Sequence, residues 1–136
     1  MADYKLSVTV DKVTVNAAKV WDAKMAKPAT EALQKSLETA AKTLTKVSDK
    51  SKTMQQVPTD SKVVEFKLRS KIEEIALKGK ILGAKVSSEL TFKGKVVSTS
   101  ISTTSKTELT SKPDGDVKFL LDDVGKSIVK AIKTQL

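Results

Sequence analysis

Leu77-Lys78-Gly79-Lys80-Ile81, matched 15 residues later by Phe92-Lys93-Gly94-Lys95-Val96, is the stretch whose reading decides the fold. Each copy has an apolar-Lys-Gly-Lys-apolar pattern. A two-residue loop that begins with Gly suits a type II′ hairpin, because Gly takes the required positive φ without strain. Residues 62–109 therefore read as three strands joined by two copies of one turn. With Gly79 and Lys80 in the loop, Lys78 faces Ile81, Leu77 faces Leu82 and Ile75 faces Ala84. One extra residue at Glu73-Glu74, a β-bulge, absorbs a slip in the apolar alternation. Beyond it Ile72 faces Val86, Leu68 faces Leu90 and Phe66 faces Phe92. On the other side Arg69 meets Glu89 and Glu65 meets Lys93. Apolar pairs on one face and opposite charges on the other suit a half-buried antiparallel pair. A competing reading takes Ser70-Lys71-Ile72-Glu73 as a capping box and Gly79 as the end of a short helix. The cross-strand matches favour the strand over 70–78.

Upstream, Leu6, Val8 and Val10 alternate, and Val13 and Val15 continue after a slip at Asp11-Lys12. Asp-Lys lacks the Gly of a tight hairpin, so one bulged strand over 4–15 is expected. Asn16 is a good N-cap. After it Trp21, Met25, Ala29, Leu33, Leu37, Ala40, Leu44 and Val47 form one stripe at helical spacing. Pro28 interrupts that stripe without changing its phase, which predicts two helical pieces, 17–27 and 29–48. Residues 48–61 have no period and read as a linker or mobile loop. Strand 96–109 carries Val97, Thr99, Ile101, Thr103, Ser105, Thr107 and Leu109 on its core side. Its other face is mostly Ser and Thr, so it is either an edge strand frayed at its end or a strand whose polar face lines a wet cavity, the edge being favoured. Lys112-Pro113-Asp114-Gly115-Asp116 is turn chemistry with Asp116 as a helix cap. The amphipathic helix that follows, 117–135, has Asp122 and Asp123 near its start and an exposed row of Lys126, Lys130 and Lys133 towards its end. That polarity complements the helix dipole. Gly125 offers a place for a neighbouring element to come close.

The chain has 136 residues, 39% apolar and 4% aromatic, enough for a core built from Val, Leu, Ile and Ala. The whole of 1–136 reads as a single α+β domain. No apolar run approaches the length of a membrane-spanning helix. Met1-Ala2-Asp3-Tyr4 lacks the basic and apolar regions of a signal peptide, which points to the cytoplasm unless the chain has been trimmed. The net charge is +9, and Arg69 is the single arginine among 25 basic residues. Nucleic-acid readers lean on Arg for bidentate contacts and on aromatics for stacking, and both are scarce. A lysine-rich surface also serves plain solubility.

An enzyme is the weakest reading, because the absence of His and Cys removes the commonest general base and the soft metal ligands. Glu73-Glu74, Asp114 with Asp116, and Asp122-Asp123 are the carboxylate groups in view. Each is explained as solvated charge or turn residue, and Asp114/Asp116 lacks the spacing of an EF-hand. Gly79, Gly83 and Gly94 lack the strand–loop–helix setting of a phosphate loop. No catalytic residue, metal or cofactor is called for. Trp21 lies on the helical stripe and reads as core.

The expected architecture is a two-layer α+β sandwich: an antiparallel sheet of about four strands in β-α-β-β-β-α order. The Pro-split helix and the C-terminal helix pack on one face. The segment from Val13 to Asp22 resembles the strand-to-helix entry of helix-grip proteins, the Bet v 1 and polyketide-cyclase-like group. The resemblance covers ten residues and the element order; the chain is too short for that family's later strands. It implies a hydrophobic ligand held between the sheet and the last helix. Three functions follow. The first is a non-catalytic binding domain that takes an apolar ligand or peptide in a cleft bordered by Phe66, Leu90, Phe92, Val124 and Ile128. Full packing of those residues together would count against it. The second is an electrostatic adaptor whose row Lys126, Lys130, Lys133 meets nucleic acid, anionic lipid or an acidic protein. Its helix–three-strand–helix order resembles a double-stranded-RNA-binding domain, but Asp114, Asp116, Asp122 and Asp123 stand where that family has a basic cluster. The third is a surface or assembly protein that pairs through edge strand 96–109. A small apolar ligand or a protein partner ranks ahead of nucleic acid or an anionic membrane.

Overall fold

The computed structural model describes residues 3–54, 63–98 and 100–136. In chain order the elements are β1 (Asp3–Val10), β2 (Thr14–Val15), α1 (Ala26–Ala41), β3 (Lys46–Ser48), β4 (Val63–Lys78), β5 (Ile81–Phe92), β6 (Lys95–Val96), β7 (Ile101–Glu108) and α2 (Pro113–Lys133). The sheet runs β3-β1-β4-β5, with β6 and β7 both against the far side of β5 and β2 beside β4. Both helices cover one face, α1 over β1 and α2 over β5 and β7, and they pack side by side. The fold is α+β and two-layered, as expected.

The β4–β5 pairing follows the sequence register. Lys78 faces Ile81, Ile75 faces Ala84, Ile72 faces Val86 and Leu68 faces Leu90, with the irregularity between Ile72 and Glu74. Gly79 has φ of 62° and Lys80 a negative φ, the signs of a type II′ turn. Arg69 reaches Glu89 at 3.4 Å on the outer face. On the core side Phe66 meets Phe92 edge-to-face, with ring centroids 6.1 Å apart.

The second turn differs from the first. Phe92 pairs with Lys95, so the loop is Lys93-Gly94, and both residues have positive φ (50° and 84°), as type I′ requires. The loop has moved one residue upstream of the expected Gly94-Lys95. The Lys93 ammonium lies 5.4 Å from the Phe92 ring centroid, an attraction that helps hold a non-glycine in this conformation. The third strand is also broken. Thr91 pairs with Val96, whereas Ser88 pairs with Ile101, so the chain makes a two-residue detour between β6 and β7. Within it the Ser98 hydroxyl accepts the Leu90 N–H at 2.8 Å, in place of a backbone carbonyl.

Five expectations are corrected. The sheet is mixed and larger than four strands, because β1 runs parallel to β4. α1 carries the chain back to the end where β1 starts, β3 pairs antiparallel with β1 there, and β4 then sets out from the same end as β1. Pro28 does not split a helix: Ala17–Lys19 and Ala23–Met25 are separate 3₁₀ turns, and α1 begins at Ala26. The proline then lies in the first turn, where its missing N–H would have had no helical partner. Asn16 makes no side-chain cap bond; Asp22 accepts from the Lys24 N–H instead. The helix also ends at Ala41 rather than 48, because Leu44 and Val47 are buried through a turn and the short strand β3. Finally, α2 begins at Pro113, and Asp116 is inside it. Its carboxylate accepts from the Thr110 N–H at 2.7 Å and is no cap for its own helix.

Of the expected 48–61 loop, residues 55–61 lie outside the described residues, as does Thr99 of the third strand. The described part is packed: Met54 is buried, and the Thr53 hydroxyl donates to the Gln135 carbonyl at 3.2 Å.

α1 and α2 run in the same direction and touch where Ser36 meets Gly125. The Ser36 hydroxyl donates to the Asp122 carbonyl at 2.8 Å. A Cβ on Gly125 would come within 2.7 Å of the Ser36 Cβ and 3.4 Å of the Leu37 nitrogen. The close approach foreseen at Gly125 is therefore real. Gly125→Ala is expected to lower stability by about 1–3 kcal/mol through overpacking, despite a gain of roughly 1 kcal/mol in helix propensity. The urea midpoint reads the sign directly.

Candidate interaction surfaces

The residues expected to border a ligand cleft come together, but as core. Phe66, Leu90, Val124 and Ile128 are each 1% exposed or less, and half-buried Phe92 packs on the same cluster. α2 presents Val117, Leu120, Leu121, Val124, Ile128 and Ile132 to the sheet, and β4 and β5 answer with Leu68, Ile72, Leu82 and Val86. Ser70 and Ser88 are polar members of this face, and their hydroxyls satisfy each other at 2.8 Å. The helix-grip resemblance fails with the cleft: its ten residues hold β2 and one 3₁₀ turn, and the space under α2 is filled with side chains. Trp21 packs half-buried against the core.

Carboxylates are spread out. Glu73 accepts the Ser87 hydroxyl at 2.8 Å, Asp123 accepts that of Ser105 at 2.9 Å, and Asp122 pairs with Lys126 at 3.0 Å. Among the described residues no three converge where a metal ion could be held.

The expected lysine row divides. Lys126 is committed to Asp122, while Lys130 and Lys133 are exposed in the last turn of α2. A solvent-facing groove between the helices is floored by Ala32, Ser36 and Ala40 and flanked by Lys35, Lys118 and Lys126. On the outer sheet face a shallow depression forms over Ala76 and Gly83, and the Lys106 stem lies across it, its Cγ 3.7 Å from where a Gly83 Cβ would stand.

β7 is the sheet edge. Among the described residues it pairs with β5 alone. The Leu109 N–H donates to the Lys80 carbonyl at 2.7 Å, and Thr107 faces Leu82. Successive residues of a strand point their backbone groups to opposite edges. Ile101, Thr103, Ser105 and Thr107 therefore serve β5, and Ser102, Thr104, Lys106 and Glu108 face outwards. The opposite edge is short: β3 spans three residues, and its Ser48 N–H is taken by the Leu136 carbonyl. The Ser/Thr composition of 96–109 had signalled this edge, but a regular strand pairing could not show the detour or the outward set.

No family model and no curated protein matches this sequence. Solved structures share the fold. A minor lipoprotein from Acinetobacter baumannii aligns over 96% of this chain and 94% of its own, with TM-score 0.57 and 14% identity. A hypothetical protein from Chlamydia trachomatis aligns over 97% of each chain, with TM-score 0.57 and 12% identity. A Xanthomonas campestris protein of family DUF330 aligns over 96% of this chain and 81% of its own, with TM-score 0.54 and 14% identity. At these identities the likeness concerns fold. None of the three is described as an enzyme, and no helix among the described residues is long and apolar enough to cross a membrane.

The filled interior has a direct consequence. A fatty-acid titration followed by backbone-amide NMR is expected to leave the signals of β4, β5 and α2 in place. Phe66→Ala is expected to cost about 3–5 kcal/mol of stability, measured by denaturant unfolding.

Proposed function

We propose that this protein is a non-catalytic assembly domain that adds a second copy of itself along β7. The observation that carries the reading is the outward edge of β7, with the backbone groups of four residues and no pairing strand among the described residues. One feature favours a second copy over an arbitrary peptide. The outward residues include Lys106 and Glu108, two positions apart on the same exposed face. In an antiparallel two-fold pairing centred on Thr107, Lys106 of each copy stands opposite Glu108 of the other as hydrogen-bonded pairs. Thr104 meets the carbonyl side of Thr110, whose N–H is already given to the Asp116 carboxylate. Opposite charges directly across a strand pair are favourable, and like charges there are not. That register selects one alignment of a strand whose Ser/Thr side chains would otherwise permit several.

The fold's neighbours, a minor lipoprotein and a DUF330 protein, are compatible with a non-catalytic role. The apolar-ligand reading loses its space to the packed core, so a protein partner is preferred.

Proline scanning separates the two edges of β7. Thr104→Pro removes an N–H that no β5 residue uses, so the fold is expected to persist while self-association is lost. Ser105→Pro removes a bond to β5 and is expected to unfold the edge. Sedimentation over a wide concentration range reads the result. A wild-type chain that stays monomeric at the highest concentrations would end this proposal.

A further inference from the structure

The parallel course of the two helices has an electrostatic result independent of β7. Both C-termini arrive at the end of the sheet where β1 and β4 begin. α1 leads through Thr45, whose carbonyl accepts the Leu6 N–H, into β3 beside the first residues of β1. The end of α2 meets the same place, through Leu136 to Ser48 and Gln135 to Thr53. This end carries Lys42, Lys46, Lys50, Lys52, Lys130 and Lys133, all exposed. The described acids at this end are Glu38, Asp49 and Asp3, which pairs with Ser48, so the six lysines still outnumber them. The ion pairs found among the described residues are Lys27–Glu31, Arg69–Glu89 and Lys126–Asp122, and none uses a lysine of this pole. The opposite end is balanced, with Asp22, Glu74, Glu108, Asp114 and Asp116 among its lysines.

We propose that this lysine pole seats the protein on an anionic lipid surface. The lysines come from four separate segments: the end of α1, β3, the turn after β3 and the end of α2. They form a broad cap and not a track along one groove. Lys50 and Lys52 stand across a shallow concavity from Thr134 and Gln135, an open space that headgroups can enter. All the cations are ammonium groups on flexible stems, suited to a fluid layer of headgroups. The pole has no arginine for bidentate phosphate or base contacts and no exposed aromatic ring for stacking, the two devices on which nucleic-acid recognition leans. The same lysines complement the negative ends of both helix dipoles, so the fold tolerates their crowding.

The test is co-sedimentation of the full chain at low salt with vesicles of phosphatidylcholine containing roughly one third phosphatidylglycerol, against phosphatidylcholine alone. Two triple variants carry the same change in net charge: Lys50→Gln/Lys52→Gln/Lys133→Gln at the pole, and Lys78→Gln/Lys80→Gln/Lys112→Gln at the far end. A lysine near an anionic leaflet is worth about fivefold in partition, so the pole variant should bind about 100-fold more weakly and the far-end variant within roughly threefold of wild type. Circular dichroism melts confirm that both variants fold. Equal losses in the two variants would show that net charge alone acts and would overturn the pole. Absence of binding to the anionic vesicles would overturn it as well. Tighter binding to a short RNA duplex at the same salt, lost in the pole variant, would reassign the surface to nucleic acid.

Discussion

The pairing of β4 with β5 is the constraint on which the other elements depend. Sixteen residues of β4 and twelve of β5 keep their apolar side chains on one face only because an extra residue is absorbed between Ile72 and Glu74. Without that irregularity the half of β4 beyond it would turn Ile75 outwards and its charges inwards. A matching slip occurs next door, where β1 pairs as Val10 with Leu68 but β2 as Thr14 with Lys71. The two irregularities lie at neighbouring heights of the sheet, where they bend it beneath the helices. Val13 stands at the slip, buried, with its N–H donated to the Gln34 side chain of α1 at 2.7 Å.

The helices fit that surface as a parallel pair, and their contact is polar at its tightest point. Ser36 satisfies its hydroxyl on the Asp122 carbonyl, and Gly125 leaves the room for it. Beneath this contact the sheet-facing side of α2 is apolar, with Leu121, Val124, Ile128 and Ile132 buried. A filled interior of this kind gives up a ligand cavity in return for rigidity. Interaction is left to the edges and ends of the molecule.

What could be read from the chain was local. The β4–β5 hairpin has a turn signal, a period of two and charge pairs that check one another, so even its bulge was visible. α2 is visible by its stripe, though Lys112-Pro113-Asp114-Gly115 reads as turn chemistry where Pro113 begins the helix. The boundaries of α1 were obscured because Leu44 and Val47 continue the helical spacing by coincidence while being buried through a turn and a strand. Three residues of β3 are too few to show a period. The parallel placement of β1 and the meeting of the two helix ends are long-range facts with no local signature, so spacing along the chain groups Lys130 and Lys133 with Lys126 and not with Lys46, Lys50 and Lys52. Phe66, Leu90, Phe92, Val124 and Ile128 meet across the sheet and α2 as parts of one packed cluster. Spacing cannot distinguish a lined cavity from a packed core.

The detour between β6 and β7 adds two residues, and two is the period of a strand. An inserted pair lengthens the chain while returning every later side chain to the face it would have had, so Ile101 still points inwards as Val97 does. A single inserted residue would invert the whole of β7, exposing Ile101 and turning Lys106 and Glu108 under α2. Length variation at residues 98–100 is therefore quantised. Relatives of this chain can gain or lose residues there in even steps with little disturbance, whereas an odd step requires a compensating bulge further along.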